Sequence, residues 1–386
     1  MQVNKFLIGV AILVGCGSCI EPFEPELKES QEVIVISGVI TDQPGVHTVE
    51  ISLSSPYNDP SFVPLSGCIV TVMDERGDTR FYQESVPGIY EALLPASYLA
   101  VGKAYSLAVI TPDESVYQSD YDTLLACPPV DSLYFEVMSQ ATRDPDETLY
   151  GIQFYSDMAV TSGTAGSYRW VLEETWEYKS PYTGTYIWFG GDSIFLLLAD
   201  TVSTCYMTEP IRNIYTATTR SLSVNGLRHN PLSNVSNETP RLKFKYSLLV
   251  EQQSLSGGAF EYWDRLKSMV SGTGGLYETQ PPVTTGNIYN TEDPDERVLG
   301  YFYATQSTER RINVENHHDF FIPNFTCKLD TFANLQEVQD AFLGYPNYLF
   351  SSDPEAPLPP FLSTSTKCFD CTLKGGTNKE PEFWQP

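Results

Sequence analysis

Eight cysteines are the residues of this chain most capable of chemistry. Cys368 and Cys371 stand in a C-x-x-C spacing, Cys368-Phe369-Asp370-Cys371. That spacing serves a zinc half-site, a redox pair or two disulfides. Zinc needs two further ligands, which Cys205 and Cys327 would have to bring from elsewhere, and no histidine stands beside the motif. An exported chain with an even set of cysteines is read first as disulfide-bonded. The candidates are Cys68, Cys127, Cys205, Cys327, Cys368 and Cys371. Six cysteines allow fifteen pairings, so spacing does not fix the partners. Cys68 with Cys127 is a plausible bridge in the first half, with the other four stapling the second.

Other chemistry-bearing types are scattered. His317-His318-Asp319 is the one histidine cluster. Neighbouring strand residues point to opposite faces, so both imidazoles do not easily reach one metal. Asp144-Pro145-Asp146-Glu147 and Asp293-Pro294-Asp295-Glu296 lack the glycine and distal glutamate of a calcium loop and read as Asp-Pro turns. Ser271 to Gly275 is glycine-rich but lacks the Lys-Ser/Thr of a phosphate loop. No nucleophile elbow or dinucleotide fingerprint is present. No catalytic residue, metal site or cofactor is therefore expected. Trp170, Trp176, Tyr186 and Trp188 crowd one stretch. If exposed they would stack on a glycan or peptide; if buried they are core, which is the commoner use in strands.

The start of the chain gives an address. Lys5 precedes an apolar run from Phe6 to Val14, and Leu13-Val14-Gly15-Cys16 closes it. As a helix the run is about 13 Å long, too short for a bilayer core of roughly 30 Å. It reads as a signal peptide over 1–15 with lipidation at Cys16, and Cys19 as the rival site. Residues 16–31, rich in Glu and Pro, read as an extended tether. With 49 acids against 23 Lys and Arg, the formal net charge is -26. Such a chain repels nucleic acid and anionic lipid, so the lipid rather than the protein surface would hold it at a membrane.

The elements that must position these residues are mostly strands. Residues 33–41 and 47–54 alternate about a turn at Asp42-Gln43-Pro44-Gly45. Residues 68–74 and 104–112 continue the pattern. This predicts an immunoglobulin-like β-sandwich over 32–128. Residues 129–386 carry more strand signals, at 132–137, 149–155, 167–175, 185–190, 193–199, 242–253, 298–305 and 311–315. One amphipathic helix is predicted over 259–270, from Phe260, Trp263, Leu266 and Val270. The whole is expected to be all-β with one or a few short helices, the second part a larger sandwich or incomplete barrel.

Taken together, several segments resemble one family. Cys19-Ile20-Glu21-Pro22-Phe23 is similar to its post-signal opening, and Ile36 to Asp42 to its first hairpin. Phe260-Glu261-Tyr262-Trp263, Gly275-Leu276-Tyr277, Gln280-Pro281-Pro282, Gly286-Asn287-Ile288 and Val298 to Phe302 resemble its central run. Cys368 to Cys371, Gly375 to Asn378, Pro381 and Phe383-Trp384 resemble its ending. The family is the domain-of-unknown-function 4249 lipoproteins of the Bacteroidota outer membrane. The resemblance implies an outer-membrane lipoprotein often encoded beside a TonB-dependent receptor, and no activity. Glu21, Glu24 and Glu26 after the cysteines resemble surface-export signals, so the cell surface is the expected face and the periplasmic face the alternative. The expected function is a non-catalytic accessory protein of a TonB-dependent transporter. A surface glycan- or peptide-binding adhesin is the second reading, and a surface hydrolase the third.

Overall fold

A computed structural model describes residues 32–55, 61–142, 144, 148–159, 166–191, 193–197, 202–220, 226–271, 286–315, 320–323, 326–342, 344–351 and 360–384. Cys16, Cys19, the tether, Asp146, Glu147 and His317-His318-Asp319 lie outside the described residues.

The chain is all-β, as its alternation predicts. The first nine strands are β1 (Ile34–Thr41), β2 (Gly45–Leu53), β3 (Val63–Pro64), β4 (Ile69–Asp74), β5 (Thr79–Val86), β6 (Ile89–Leu94), β7 (Ala104–Ile110), β8 (Val116–Ser119) and β9 (Asp122–Thr123). In β1 every second residue is buried, because a strand presents successive side chains to opposite faces. Ile36, Ile40, Ile51, Val70, Val72 and Leu107 fill the resulting core.

The second part supplies β10 (Ser132–Ala141), β11 (Thr148–Ala159), β12 (Ser167–Lys179), β13 (Tyr186–Trp188), β14 (Ile194–Leu196), β15 (Thr204–Thr218), β16 (Gly226–Ser236) and β17 (Tyr246–Ser254). Helix α1 (Gly257–Ser271) follows, covering the predicted helix. Then come β18 (Ile288–Asn290), β19 (Phe302–Thr305), β20 (Ser307–Val314), β21 (Asp330–Phe332), helix α2 (Leu335–Ala341), β22 (Asn347–Ser351) and β23 (Phe361–Ser363).

The first sheet does not stop at residue 128. Its strand order is β18-β8-β7-β4-β5-β6-β2-β1-β19, so both flanks come from residues 288–305. Strand β1 pairs with β19 in parallel, Gly38 opposite Phe302 and Thr41 opposite Thr305. Ala304 N–H donates to the buried Asp122 side chain (3.0 Å) of β9, which nearly closes the sheet on itself. Gly300 makes the crossing possible. Its φ is +96°, and a Cβ there would collide with the Ile36 carbonyl oxygen.

Two further sheets face each other. Strands β10-β11-β16 form one and β15-β12-β17-β20 the other. Phe154 of β11 stacks on Tyr246 of β17 across the gap, ring centroids 5.7 Å apart. A small sheet β14-β13-β22-β23-β21 packs with α2 around Trp188, Phe332, Val338 and Leu349. The first sheet is tied to the second pair at Asp42, whose carboxylate accepts from Gln306 Nε2 (2.8 Å) and Ser307 N–H (3.2 Å). Among the described residues no helix is long and apolar enough to cross a membrane.

Candidate functional site

Four of the six disulfide candidates are bonded, as Cys205–Cys371 and Cys327–Cys368. The C-x-x-C cysteines therefore take different partners, and the motif is a pair of staples rather than half a metal site. Among the described residues no group of three or more His, Cys, Asp or Glu is arranged to hold a metal. The expected Cys68–Cys127 bridge is not formed; both are free and buried. Cys68 belongs to the first core, its N–H donating to Tyr90 OH (3.0 Å). Cys127 lies beyond β9 at the junction, its thiol donating to Gln252 O (3.3 Å) on β17. Burial pushes both thiols up, Cys127 to about 11, which keeps them protonated and unreactive.

The four aromatic candidates are core. Trp170, Trp176, Tyr186 and Trp188 are all buried. Trp170 Nε1 donates to Gln252 Oε1 (3.1 Å), and Trp188 Nε1 to Gly191 O (2.9 Å). These rings do not form an exposed platform: β12 turns Trp170 and Trp176 inward, and the small sheet encloses Tyr186 and Trp188. Of the acidic turns, Glu296 accepts from Tyr117 OH (2.9 Å) and Asn290 Nδ2 (2.5 Å), a structural role. His47 is buried on β2, and His229 stacks on Tyr155 at 3.8 Å.

A different set of aromatics lines a cleft of about 280 Å³. It lies where α1 and β12 meet the outer face of β1 and β2. Tyr262 and Trp263 come from α1, Tyr303 from β19, Tyr301 from the residue before it, Arg169 from β12, and Ser37, Val39, Thr48 and Glu50 from β1 and β2. The helix is placed at its start and at its middle. Ser256 Oγ accepts from Ala259 N–H (3.2 Å) at its start. Asp264 Oδ1 accepts from Thr216 Oγ1 (2.9 Å) on β15. Gly258 admits the close approach of Tyr301, whose hydroxyl would lie 2.7 Å from a Cβ there.

Arg169 dominates the cleft. Its guanidinium carbon sits 3.6 Å from the centroid of the Trp263 ring, a cation–π contact. Its Nη1 donates to Tyr303 OH (2.6 Å), which donates in turn to Gln253 Oε1 (3.0 Å). Burial raises the Tyr303 hydroxyl pKa, Arg169 opposing it, so that phenol stays a neutral link. Tyr262 and Tyr301 lie 4.7 Å apart and extend the aromatic wall. Two buried donors, Arg169 Nε and Trp263 Nε1, have no hydrogen-bond partner. Buried N–H groups left unpaired cost about 1–3 kcal/mol each.

A second groove, of about 400 Å³, is lined by Trp176, Tyr178, Met207, Arg241 and Lys374. Its cations are already engaged. Arg241 pairs with Glu174 (2.5 Å), which also accepts from Tyr246 OH (2.8 Å), and Lys374 donates to Tyr178 OH. The junction cleft, with its open donors, is the stronger candidate.

Little in the sequence signals the cleft. Arg169 falls on the outward face of a strand whose Tyr168, Trp170 and Leu172 face the core, so it reads as a solvent-facing charge. Trp263 reads as the core side of an amphipathic helix. Only the docking of α1 beside the first sheet brings the two together.

No curated protein matches this chain. A family model described as Domain of unknown function (DUF4249) matches residues 20–311. The match runs from ahead of β1 into β20, so it takes in the first sheet, the facing pair and every element of the cleft. Strands β21, β22 and β23 of the small sheet and the segment Cys368 to Trp384, on which the resemblance also rested, lie beyond it. With about three quarters of its length matched, the chain belongs to the DUF4249 family.

Proposed function

We propose that this protein is a non-catalytic, lipid-anchored accessory protein of the outer membrane, working with a TonB-dependent transporter and holding a small ligand in its junction cleft. The observation that carries the binding role is the pair of buried, unpaired donors, Arg169 Nε and Trp263 Nε1, on side chains that line an aromatic-walled cleft. Concave, mostly apolar sites with a few convergent polar groups are the usual form of small-molecule sites. At about 280 Å³ the cleft lies just below the roughly 300–1,000 Å³ usual for such sites, which favours a small ligand over a run of sugars. The anchoring role is supported by the basic start, apolar run and Leu13-Val14-Gly15-Cys16, with Cys19 as the alternative attachment point. The acidic tether of 16–31 supports a position facing the cell surface.

Crosslinking in native outer membranes followed by purification of this chain tests the reading. Recovery of a β-barrel transporter in stoichiometric amount is expected. Recovery of the chain with no barrel partner would overturn the transporter role.

A further inference from the structure

Resting on that binding role, we infer that the junction cleft selects a small carboxylate carried on a flat apolar group. The cleft holds a cation that has no ion-pair partner among the described residues. Among the described residues no carboxylate lies within ion-pair distance of Arg169, in a chain with 49 acids and 23 Lys and Arg. Most other arginines near a core are answered: Arg241 by Glu174, Arg311 by Glu173. Arg169 is instead held by a neutral phenol and an indole face, Tyr303 and Trp263. This arrangement fixes the guanidinium without spending it on an internal acid.

The unmet hydrogen-bonding capacity is of one sign. Arg169 Nε and Trp263 Nε1 are both N–H donors, and both side chains line the cleft. A group that satisfies them must accept. A planar carboxylate offers two oxygens in the geometry a guanidinium matches, with charge-assisted bonds stronger than those to a neutral acceptor. The walls then choose what the carboxylate is attached to. Tyr262 and Tyr301, tilted against each other with ring centroids 4.7 Å apart, present an aromatic surface, which favours a flat or aromatic body. Glu50 lines the β2 side of the same cleft and repels any anion there, so a ligand held by Arg169 carries a single negative charge.

One carboxylate chemistry has two sources, a free aryl acid and the C-terminal residue of a peptide. Isothermal titration of the full-length chain in detergent with phenylacetate and with N-acetylphenylalanine separates them. Each is compared with its neutral amide, phenylacetamide or N-acetylphenylalaninamide. We expect saturable one-to-one binding of at least one acid, with its amide at least tenfold weaker. If phenylacetate alone binds, the source is a free acid; if N-acetylphenylalanine binds more tightly, it is a peptide terminus. Arg169→Gln should remove the preference for acid over amide. The comparison of acid with amide uses the unaltered protein, so it stands even where the variant folds poorly. Equal binding of acid and amide, or no binding of any of the four probes, overturns the inference. Loss of acid binding with a barrel still recovered from native membranes leaves the transporter role intact. Acid binding without a barrel does the reverse.

Discussion

Replacing Trp170 by alanine separates a core indole from a ligand platform. Trp170 is 1% exposed. Its side chain removes roughly 200 Å² from water, and at about 25 cal/mol per Å² that is about 5 kcal/mol. Large-to-small changes of Trp in cores cost about 3–5 kcal/mol by measurement, in agreement. The substitution also strips Gln252 Oε1 of its 3.1 Å donor, while Gln252 Nε2 keeps Pro128 O at 2.7 Å. A net loss of about 5 kcal/mol is expected. Trp170→Phe retains most of the area and should cost about 2 kcal/mol. Trp263→Ala, from a half-buried ring at the cleft, should cost about 1–2 kcal/mol. Urea unfolding followed by near-ultraviolet circular dichroism, with stability taken from the midpoint and slope, reads all three. If Trp170→Ala costs less than about 1 kcal/mol, or no more than Trp263→Ala, the division of the aromatics into core and cleft is wrong.

Three further outcomes follow from the fold. Gly300→Ala should destabilise by about 3 kcal/mol, because both its positive φ and the Ile36 carbonyl oppose a side chain; a thermal midpoint equal to that of the parent would refute the close β1–β19 approach. Removing Cys205 and Cys371 together opens a closure of 166 residues, worth about 5 kcal/mol by chain entropy, and hydrogen exchange should rise first in residues 371–384, which lie against β15 through the Tyr206–Thr377 backbone pairing. His47 has its pKa lowered by burial, against the opposing hydrogen bonds to Gln43 and Val39; the unfolded chain therefore takes up the proton first. Its share of stability is full above pH about 6.5 and falls as pH drops toward the folded value, by up to about 1.4 kcal/mol per unit. His47→Gln should flatten stability between pH 5 and 6.5, and an unchanged slope would count against a buried neutral imidazole.

Much of the strand content was legible because alternation is a local signal. Strands β1, β4 and β7 and helix α1 lie where the periodicity puts them. Strands β15 and β16 escaped notice for a physical reason. Each is an edge strand carrying a proline, Pro210 and Pro231, and each is polar on much of its length. Edge positions tolerate both, so the sequence there loses the marks of a strand. Long-range pairing was also invisible. Periodicity says which face of β1 is buried, and says nothing of residues 302–305 as its neighbour. The cysteine pattern correctly suggested disulfides in the second part, yet Cys127 was assigned to a sandwich it merely adjoins. The cleft was hidden because its defining residues, Arg169 and Trp263, gain their meaning only from contact across 94 positions of chain.

The functional account begins at the membrane, and the mass of the N-terminal peptide of the mature protein tests it most directly. The account predicts a chain cut before Cys16, or before Cys19, with fatty acyl groups on that cysteine. A peptide that begins at Met1, or a cut chain whose first cysteine carries no lipid, would contradict it.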